Sequence, residues 1–460
     1  MAFVAPTQLH HALLNTLSRG PVAAGRLVEL LQISRATLSR RMATLQQQVL
    51  TMGRGPSTTY GLRRAIPELR ENSARGIPVH RIEPSGLATR IGTLTSVQSS
   101  ATYFWFQDEL NPAQSRGFDD LPWFIVDMRP QGFMGRAFCH QNRVELRLPD
   151  RLNDWNADQI LLALTTRGDD AIGNLVVGEE ALNRWASAMQ RPGASLEREN
   201  RHAVFGQYAN AAIAGHPAGS SAAGEQPKFG LCVANAKGEP IQVLVKFSPS
   251  LNTNTGRRWG DLLIAESVAA TVLREFGFQT AESEIVTDRE RIYLQVERFD
   301  RTGRAGRVGV VSLSSVDSEY VGNGASWSAA VAGLVEQNRL DGGDLMSVQT
   351  LEAFGRLIAN NDRHLGNLSL YFDGNYRFRL APVYDMLPMD YAPVANENPV
   401  REFNPLPMGN ALIAWSRALP IATRFWEQLQ LQPLLSEEFR QIAAMNAEVI
   451  GRMTPLAAIN

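Results

Sequence analysis

Apolar residues in the first 64 positions recur at helical spacing. They predict a helix over His11 to Leu17 and a second over Val22 to Leu31, with Ser34 placed to cap a third that carries Leu38, Met42 and Leu45. Gln32-Ile33 forms a short turn between the last two, as in a helix-turn-helix. The pattern then becomes extended. Val49-Leu50-Thr51-Met52 and Thr58-Thr59-Tyr60, joined by Gly53-Arg54-Gly55-Pro56, read as a two-stranded wing with an arginine at its tip. Residues 65–78, with Pro67, the mixed-charge run Glu68-Leu69-Arg70-Glu71-Asn72 and Pro78, read as a connector.

Beyond it, Val79 to Ile82 and Ile91 to Leu94 alternate and Tyr103 to Phe106 is an aromatic run, so residues 79–210 are expected to be β-rich. Within them Ala157 to Arg167 predicts a helix, Asp127 to Gly132 a turn, and Leu175 to Val177 another apolar run. Residues 211–300 supply a strand at Ile241 to Phe247, a helix at Asp261 to Phe276, and a strand from Ile292 that runs into the charged turn Glu297-Arg298-Phe299-Asp300-Arg301. In residues 301–460, apolar segments (Phe354 to Ile358, Leu368 to Phe372, Phe378 to Val383) flank two polar turns. The stretch Leu412 to Ala457 is helical by pattern, with breaks expected at Pro420 and Pro433. These segments together predict an α+β chain whose first 64 residues form a winged helix-turn-helix domain.

Composition narrows the function classes. Lys+Arg 45 against Asp+Glu 46 gives a net charge of -1, so no global charge favours nucleic acid or membrane. Two cysteines, Cys139 and Cys232, are too few for a disulfide framework or a zinc site, and no segment approaches the roughly 20 apolar residues of a membrane helix. A cytoplasmic location is expected. Charge is uneven, however: the first 64 residues hold eight Arg and one acid. Arg35, Thr37, Ser39, Arg40 and Arg41 lie off the apolar stripe of the third helix, and Arg54 is at the wing tip, where they could meet DNA.

The candidate chemistry centres on Asn360-Asn361-Asp362-Arg363-His364-Leu365-Gly366-Asn367 and on Asp385. Asp362 and Asn367 stand at Asp-x-x-x-x-Asn spacing with a further carboxylate beyond, a set suited to phosphoryl transfer: one acid to orient an acceptor hydroxyl, an amide and a second acid to hold magnesium. An Asx-rich turn satisfying its own backbone is the competing reading of the same residues. Upstream, Pro217 to Phe229 is rich in small residues that let backbone amides approach a phosphate, with Gly224 tolerating unusual dihedrals; alone it reads as a flexible linker. Lys246 ends a strand where it could meet α- and β-phosphates, and Glu266 on the next helix is a plausible partner for it.

Asn-Asp-Arg-His-x-x-Asn, followed by Pro-x-Tyr-Asp, resembles the catalytic segment of the HipA-like serine/threonine kinases, the toxin family of bacterial persistence modules. Ser221, Gly224, Gln226 and Lys228 match that family's Ser-x-x-Gly-x-Gln-x-Lys loop, and Val-Glu-Arg-Phe-Asp-Arg at 296–301 matches its interlobe hinge. The resemblance spans residues 79 to 440 and, with the N-terminal segment, points to the YjjJ type, in which a winged helix precedes the HipA-like body. It implies a bilobal kinase fold using ATP and Mg2+, with Asp362 catalytic, Asn367 and Asp385 on the metal, and Glu297 and Phe299 pairing with adenine through their backbone. It implies autophosphorylation at Ser221; Ser220 is an alternative acceptor, and Pro227 departs from a position the family often fills with Glu. It implies a protein substrate of the aminoacyl-tRNA synthetase class and control by a DNA-binding antitoxin, or here by the N-terminal domain in cis. His364 is expected to brace its loop rather than move protons. Two other functions fit the residues: a DNA-binding transcriptional regulator with a nucleotide-sensing or inactive kinase-like body, and a magnesium-dependent DNase-type toxin.

Overall fold

Leu9, Leu13 and Leu17 recur one turn apart on the first helix, α1 (Pro6–Leu17), and all three are buried. The computed structural model describes residues 6–66, 68–69, 73–190, 195–215, 225–395, 397–399, 401–406 and 412–453. After α1 come β1 (Val22–Ala23), α2 (Ala24–Leu31), α3 (Arg35–Thr44), β2 (Val49–Met52) and β3 (Thr59–Leu62). Leu27, Leu38, Met42 and Leu45 close the small core around α1. Ser34 caps α3 as expected: its side chain accepts from the Thr37 amide at 3.1 Å. Gln32 takes a left-handed φ of 52° in the turn before it. Val22 and Ala23, expected to be helical, instead pair with Tyr60 and Thr59, because a strand bond serves backbone groups that a helix start would leave open.

This unit is fastened to the region beyond it. The Gln98 amide donates to Leu62 O at 2.7 Å, the Arg64 amide to Ser96 O at 2.9 Å, and the Arg64 guanidinium to Asp158 at 2.8 Å. Ile66 and Leu69 are buried in the main core, so parts of the segment read as a connector pack as core residues. Its end, Ile77-Pro78, begins β4 (Ile77–Ile82). With β5 (Ala88–Ser96), β6 (Phe104–Asp108), β7 (Arg116–Phe118) and β8 (Leu175–Val177), β4 forms a sheet in the order β7-β6-β5-β4-β8.

The same region is richer in helix than its pattern predicts: α4 (Trp123–Val126), α5 (Gly132–Leu146), α6 (Ala157–Arg167), α7 (Glu179–Gln190) and α8 (Arg201–Ile213). The buried face of α5 is Met134, Gly135, Cys139, Asn142 and Leu146, too mixed to show as an apolar stripe. By contrast α6 is apolar over most of its length and opens on an Asn156/Gln159 capping box, which is why its bounds were legible. Helix α8 belongs with the next sheet, for Phe205 meets Phe229 and Tyr293 edge-on at 5.6 and 5.5 Å.

That sheet is antiparallel, in the order β11-β12-β10-β9, from β9 (Lys228–Ala234), β10 (Pro240–Phe247), β11 (Ser283–Thr287) and β12 (Ile292–Glu297). Between β10 and β11 runs α9 (Asn254–Glu275), which starts earlier than the apolar repeat suggests because Thr253 caps it from the Gly256 amide. Its first half is bolted to the C-terminal region. Asp261 accepts from the Ser436 amide and hydroxyl at 2.8 and 2.7 Å, and Arg258 donates to Tyr391 O at 3.0 Å and to Glu438 at 2.6 Å.

The rest is β13 (Arg301–Thr302), β14 (Gly306–Arg307), β15 (Val310–Ser312), α10 (Leu313–Tyr320), α11 (Trp327–Glu336), α12 (Gly342–Leu357), β16 (Ser369–Tyr371), β17 (Arg379–Leu380), α13 (Leu412–Gln430) and α14 (Glu437–Gly451). Helix α13 runs through Pro420, where a break was expected. Pro420 is exposed, and buried Ala418, Leu419, Ile421 and Ala422 hold both halves against the core; the chain breaks only near Pro433. Trp426 donates to Leu357 O at 3.0 Å and fixes the end of α12, from which the polar turn departs. Among the described residues, no helix is long and apolar enough to cross a membrane.

Burial pushes the Asp261 carboxyl up to about 6, against the pull of its Ser436 bonds and of Arg258. Folded Asp261 therefore holds its proton more tightly than unfolded Asp261. The stability this adds, about 3 kcal/mol at most, is present in full below about pH 4 and is lost as pH rises through 6. Urea unfolding of Asp261→Asn between pH 4 and 7 should lack most of the decline seen in the wild type; equal slopes would contradict the assignment.

Candidate active site

Strands β9 and β10 set Lys228 directly opposite Lys246, so both side chains leave the sheet on one face. Lys246 Nζ lies 2.6 and 2.8 Å from the two carboxylate oxygens of Glu266 on α9, and it also bonds Asp385. Two lysines and two carboxylates thus share one buried cluster. Burial disfavours the charge on Lys246, but Asp385 and Glu266 outweigh it and hold the ammonium above the usual lysine range. Burial likewise opposes ionisation of Asp385, yet Lys246 and Lys228 keep it below the usual carboxylate range. Lys228 is pulled down to about 8, chiefly by burial, with Lys246 adding repulsion and Asp385 partly restoring it.

Two loops meet at this cluster, and each turns on a non-glycine residue in the left-handed region, Ala359 at φ 58° and Asp385 at φ 55°. Such dihedrals cost of order 1–3 kcal/mol and persist where surrounding bonds over-determine them. Asn360 supplies those bonds. Only 2% exposed, it accepts from the Asp362 amide at 3.0 Å and donates to Asp385 O at 3.4 Å. Asn367 closes the turn by donating its Nδ2 to Asp362 O at 2.8 Å. Lys246, Asp385, Asp362 and Asn367 are therefore joined by one path of hydrogen bonds, with the Asp362 side chain 51% exposed at its outer end.

His364 braces this turn: its Nδ1 accepts from the Gly366 amide at 3.0 Å, and its carbonyl accepts from Trp327 Nε1 at 2.8 Å. Arg363 lies across α12 so closely that a Cβ on Gly355 would sit 2.4 Å from its Cδ, so any larger residue there would displace the arginine. Tyr384 OH donates to Gly366 O at 3.1 Å and pairs with Ser369 Oγ at 2.8 Å, tying the loop before Asp385 to the Asp362 turn. At the far side, Phe299 stands 5.8 Å from Tyr384, ring to ring, and the Glu297 amide donates to Glu282 O at 2.8 Å. A small cavity bordering Glu266 and Asp385 is walled by Leu273, Val296, Val383 and Met386.

Six of the residues singled out from sequence thus come together: Lys228, Lys246, Glu266, Asp362, Asn367 and Asp385. Glu297 and Phe299 lie on the adjoining strand end. Gln226 is half-buried, and its amide nitrogen has no partner among the described residues. Ser221 and Gly224, with Ser220, lie outside the described residues. Arg35, Thr37, Ser39, Arg40, Arg41 and Arg54 sit on the N-terminal helices and hairpin; Arg35, Ser39, Arg40 and Arg54 are exposed, whereas Arg41 and Thr37 are half-buried, Thr37 bonded to Ser34.

The family model for the YjjJ-like toxin middle domain matches residues 73–186, and that for the HipA-like C-terminal domain matches residues 220–447. Toxin YjjJ of Escherichia coli (strain K12) is 37% identical over 450 residues, covering 96% of this chain and 97% of that protein. The chain belongs to the YjjJ-like toxins of the HipA-like family. Among solved structures, HipA of Shewanella oneidensis MR-1, determined with HipB and its operator DNA, aligns over 81% of this chain and 95% of that one, with a TM-score of 0.54 at 18% identity. That likeness shows a common fold.

For this YjjJ-like chain, sequence reasoning gave Asn360 and Tyr384 no role of their own, although both stand in its motifs, and missed Trp327. The doubled Asn360-Asn361 and the Tyr384-Asp385 pair were visible, but only coordinates show which of the two asparagines is buried. Asn360→Ala strands the part-buried Asp362 amide and Asp385 carbonyl and should cost about 1–3 kcal/mol in urea unfolding. Asn361→Ala loses one exposed bond to Asp390, 2.6 Å, and should cost roughly 0.5 kcal/mol or less. Equal costs would contradict the bridging role.

Proposed function

We propose that this chain is an ATP- and magnesium-dependent serine/threonine protein kinase of the HipA toxin type, with a bilobal kinase body and an N-terminal winged helix that binds DNA. The observation that carries the reading is the unbroken hydrogen-bonded path from Lys246 and Glu266 through Asp385 and Asn360 to Asp362 and Asn367. The donor set fits the metal. Magnesium takes hard oxygen ligands, and Asp385 offers a carboxylate, while Asn367, its nitrogen engaged at Asp362 O, presents its amide oxygen. A magnesium ion held by these two residues would supply charge neutralisation for the phosphates.

The chain's own residues do the rest by positioning and charge. Lys246, steadied by Glu266, holds the α- and β-phosphates, and Lys228 adds a second cation from the neighbouring strand. Asp362, exposed at the mouth, orients the acceptor serine or threonine and takes its hydroxyl proton as the oxygen attacks the γ-phosphorus and the bond to the β-phosphate oxygen breaks. Because the Glu297 amide is already bonded to Glu282, adenine meets the carbonyl of Glu297 and the backbone of Phe299. Gly224, Gln226 and the loop amides cover the phosphates, and Ser221, or Ser220 beside it, is the autophosphorylated residue. The substrate class is a translation-related protein such as an aminoacyl-tRNA synthetase, so growth arrest follows from stalled translation in the cytoplasm. The N-terminal domain acts on DNA in cis or inhibits the kinase, in place of or alongside a separate antitoxin.

With γ-labelled ATP and magnesium, Asp362→Asn and Asp385→Asn should each lower phosphate transfer by about two to three orders of magnitude while circular dichroism stays unchanged. Undiminished labelling in both would refute the assignment. On the N-terminal domain, Arg40→Ala and Arg54→Ala should each reduce the salt slope of DNA binding by about one; unaltered slopes would remove those arginines from the interface.

A further inference from the structure

Behind the strand end that carries Glu297 and Phe299 lies a second cluster of charges, which the phosphate-handling residues leave unexplained. Arg298 and Asp300 flank Phe299 and both are buried. Asp300 accepts from Arg298 Nε and Nη2 at 3.0 and 2.8 Å, from Arg301 Nη1 at 2.6 Å, and from the Gly173 amide at 2.9 Å. Arg301 also donates to the carbonyls of Gly173 and Ala171 at 3.0 and 2.7 Å and to the Asp170 carboxylate at 2.9 Å. Arg298 reaches the same Asp170 oxygen at 3.3 Å, and Arg307 bonds Asp169 O. The turn after α6 thus offers an amide, the carbonyls of Gly173 and Ala171 and a carboxylate to the hinge, and the Asp169 carbonyl to Arg307.

Charges taken out of water hold their geometry because separating them strands one partner. Burial opposes ionisation of Asp300, but Arg298 and Arg301 outweigh it and keep it far below the usual carboxylate range, so it is an anion at any working pH. On the opposite side the Phe299 ring packs beside Tyr384 and Tyr371 at 5.8 and 6.3 Å. Residue 299 is therefore gripped from two directions: from the five-stranded-sheet region by the arginine–aspartate cluster, and from the catalytic loops by its own ring. The residues that match the YjjJ-like middle-domain model include this turn. The hinge lies in the other matched segment.

We infer that the turn 168–173 is a clamp that fixes the hinge backbone for the purine end of the nucleotide, and that Asp170 is a positioning residue for ATP although it touches none of it. This rests on the proposal that adenine binds at Glu297 and Phe299. Asp170 is the member to vary, since its side chain is 50% exposed and its loss leaves the Asp300 bonds in place.

The test uses the full chain and calorimetry with two probes, a non-hydrolysable ATP analogue and inorganic triphosphate, each with magnesium. Asp170→Ala should weaken the analogue about tenfold while changing triphosphate affinity less than about twofold; Asp170→Asn, which keeps an oxygen for Arg301, should weaken the analogue about threefold. A merely structural role would lower the thermal midpoint and weaken both probes alike, which would overturn the inference. Wild-type binding of the analogue with no change in either variant would overturn the clamp and leave the kinase reading standing. No binding of either probe by the wild type would remove the nucleotide reading and the clamp with it.

Discussion

The rest of the site depends on the ammonium of Lys246, buried between Glu266 and Asp385. Each of these charges would be costly to bury alone, so the strand that carries the lysine, the helix that carries the glutamate and the loop that carries the aspartate are held to one arrangement by mutual need. The helix has little freedom to withdraw. Arg258 and Asp261 tie its first half to Tyr391, Glu438 and Ser436, which holds Glu266 where Lys246 reaches it.

Around that pair the chain accepts local strain for placement. Ala359 and Asp385 both adopt left-handed dihedrals, and the buried Asn360 between them converts two strained turns into one bonded unit. Tyr384 extends the unit in two directions, to Gly366 in the turn that bears Asp362 and to the ring of Phe299 just past β12. From there the buried arginines and aspartates continue into the turn after α6. The middle region, the strand end at Glu297 and the loops bearing Asp362 and Asp385 are thus linked by contacts that pass through few residues, each with a nameable partner.

Parts of this were legible in sequence for physical reasons. The helix Ala157–Arg167 was bounded by its apolar run, and Ser34 announced the third N-terminal helix because a hydroxyl at that place has an amide to serve. The residues that converge on Lys246 stood out because charged and amide side chains beside apolar strands are unusual. The helices at Gly132–Leu146 and Arg201–Ile213 did not, since their buried faces mix small and polar residues with a few large ones. Nor did the Asp170–Arg298 contact, whose members lie 128 positions apart with ordinary local surroundings. Periodicity reports a residue's burial against its near neighbours; it says nothing of a partner brought from another domain.

The central claim is that Lys246, Asp362, Asn367 and Asp385 form one cleft for a metal-bound triphosphate. Its most direct test is a crystal structure with manganese and a non-hydrolysable ATP analogue, read by anomalous difference density. The expected result is a manganese peak coordinated by Asp385 and the Asn367 amide oxygen, phosphate oxygens at Lys246, and the γ-phosphate facing Asp362. A nucleotide or manganese ion bound away from these four side chains, with the Lys246–Asp385 contact intact, would contradict it.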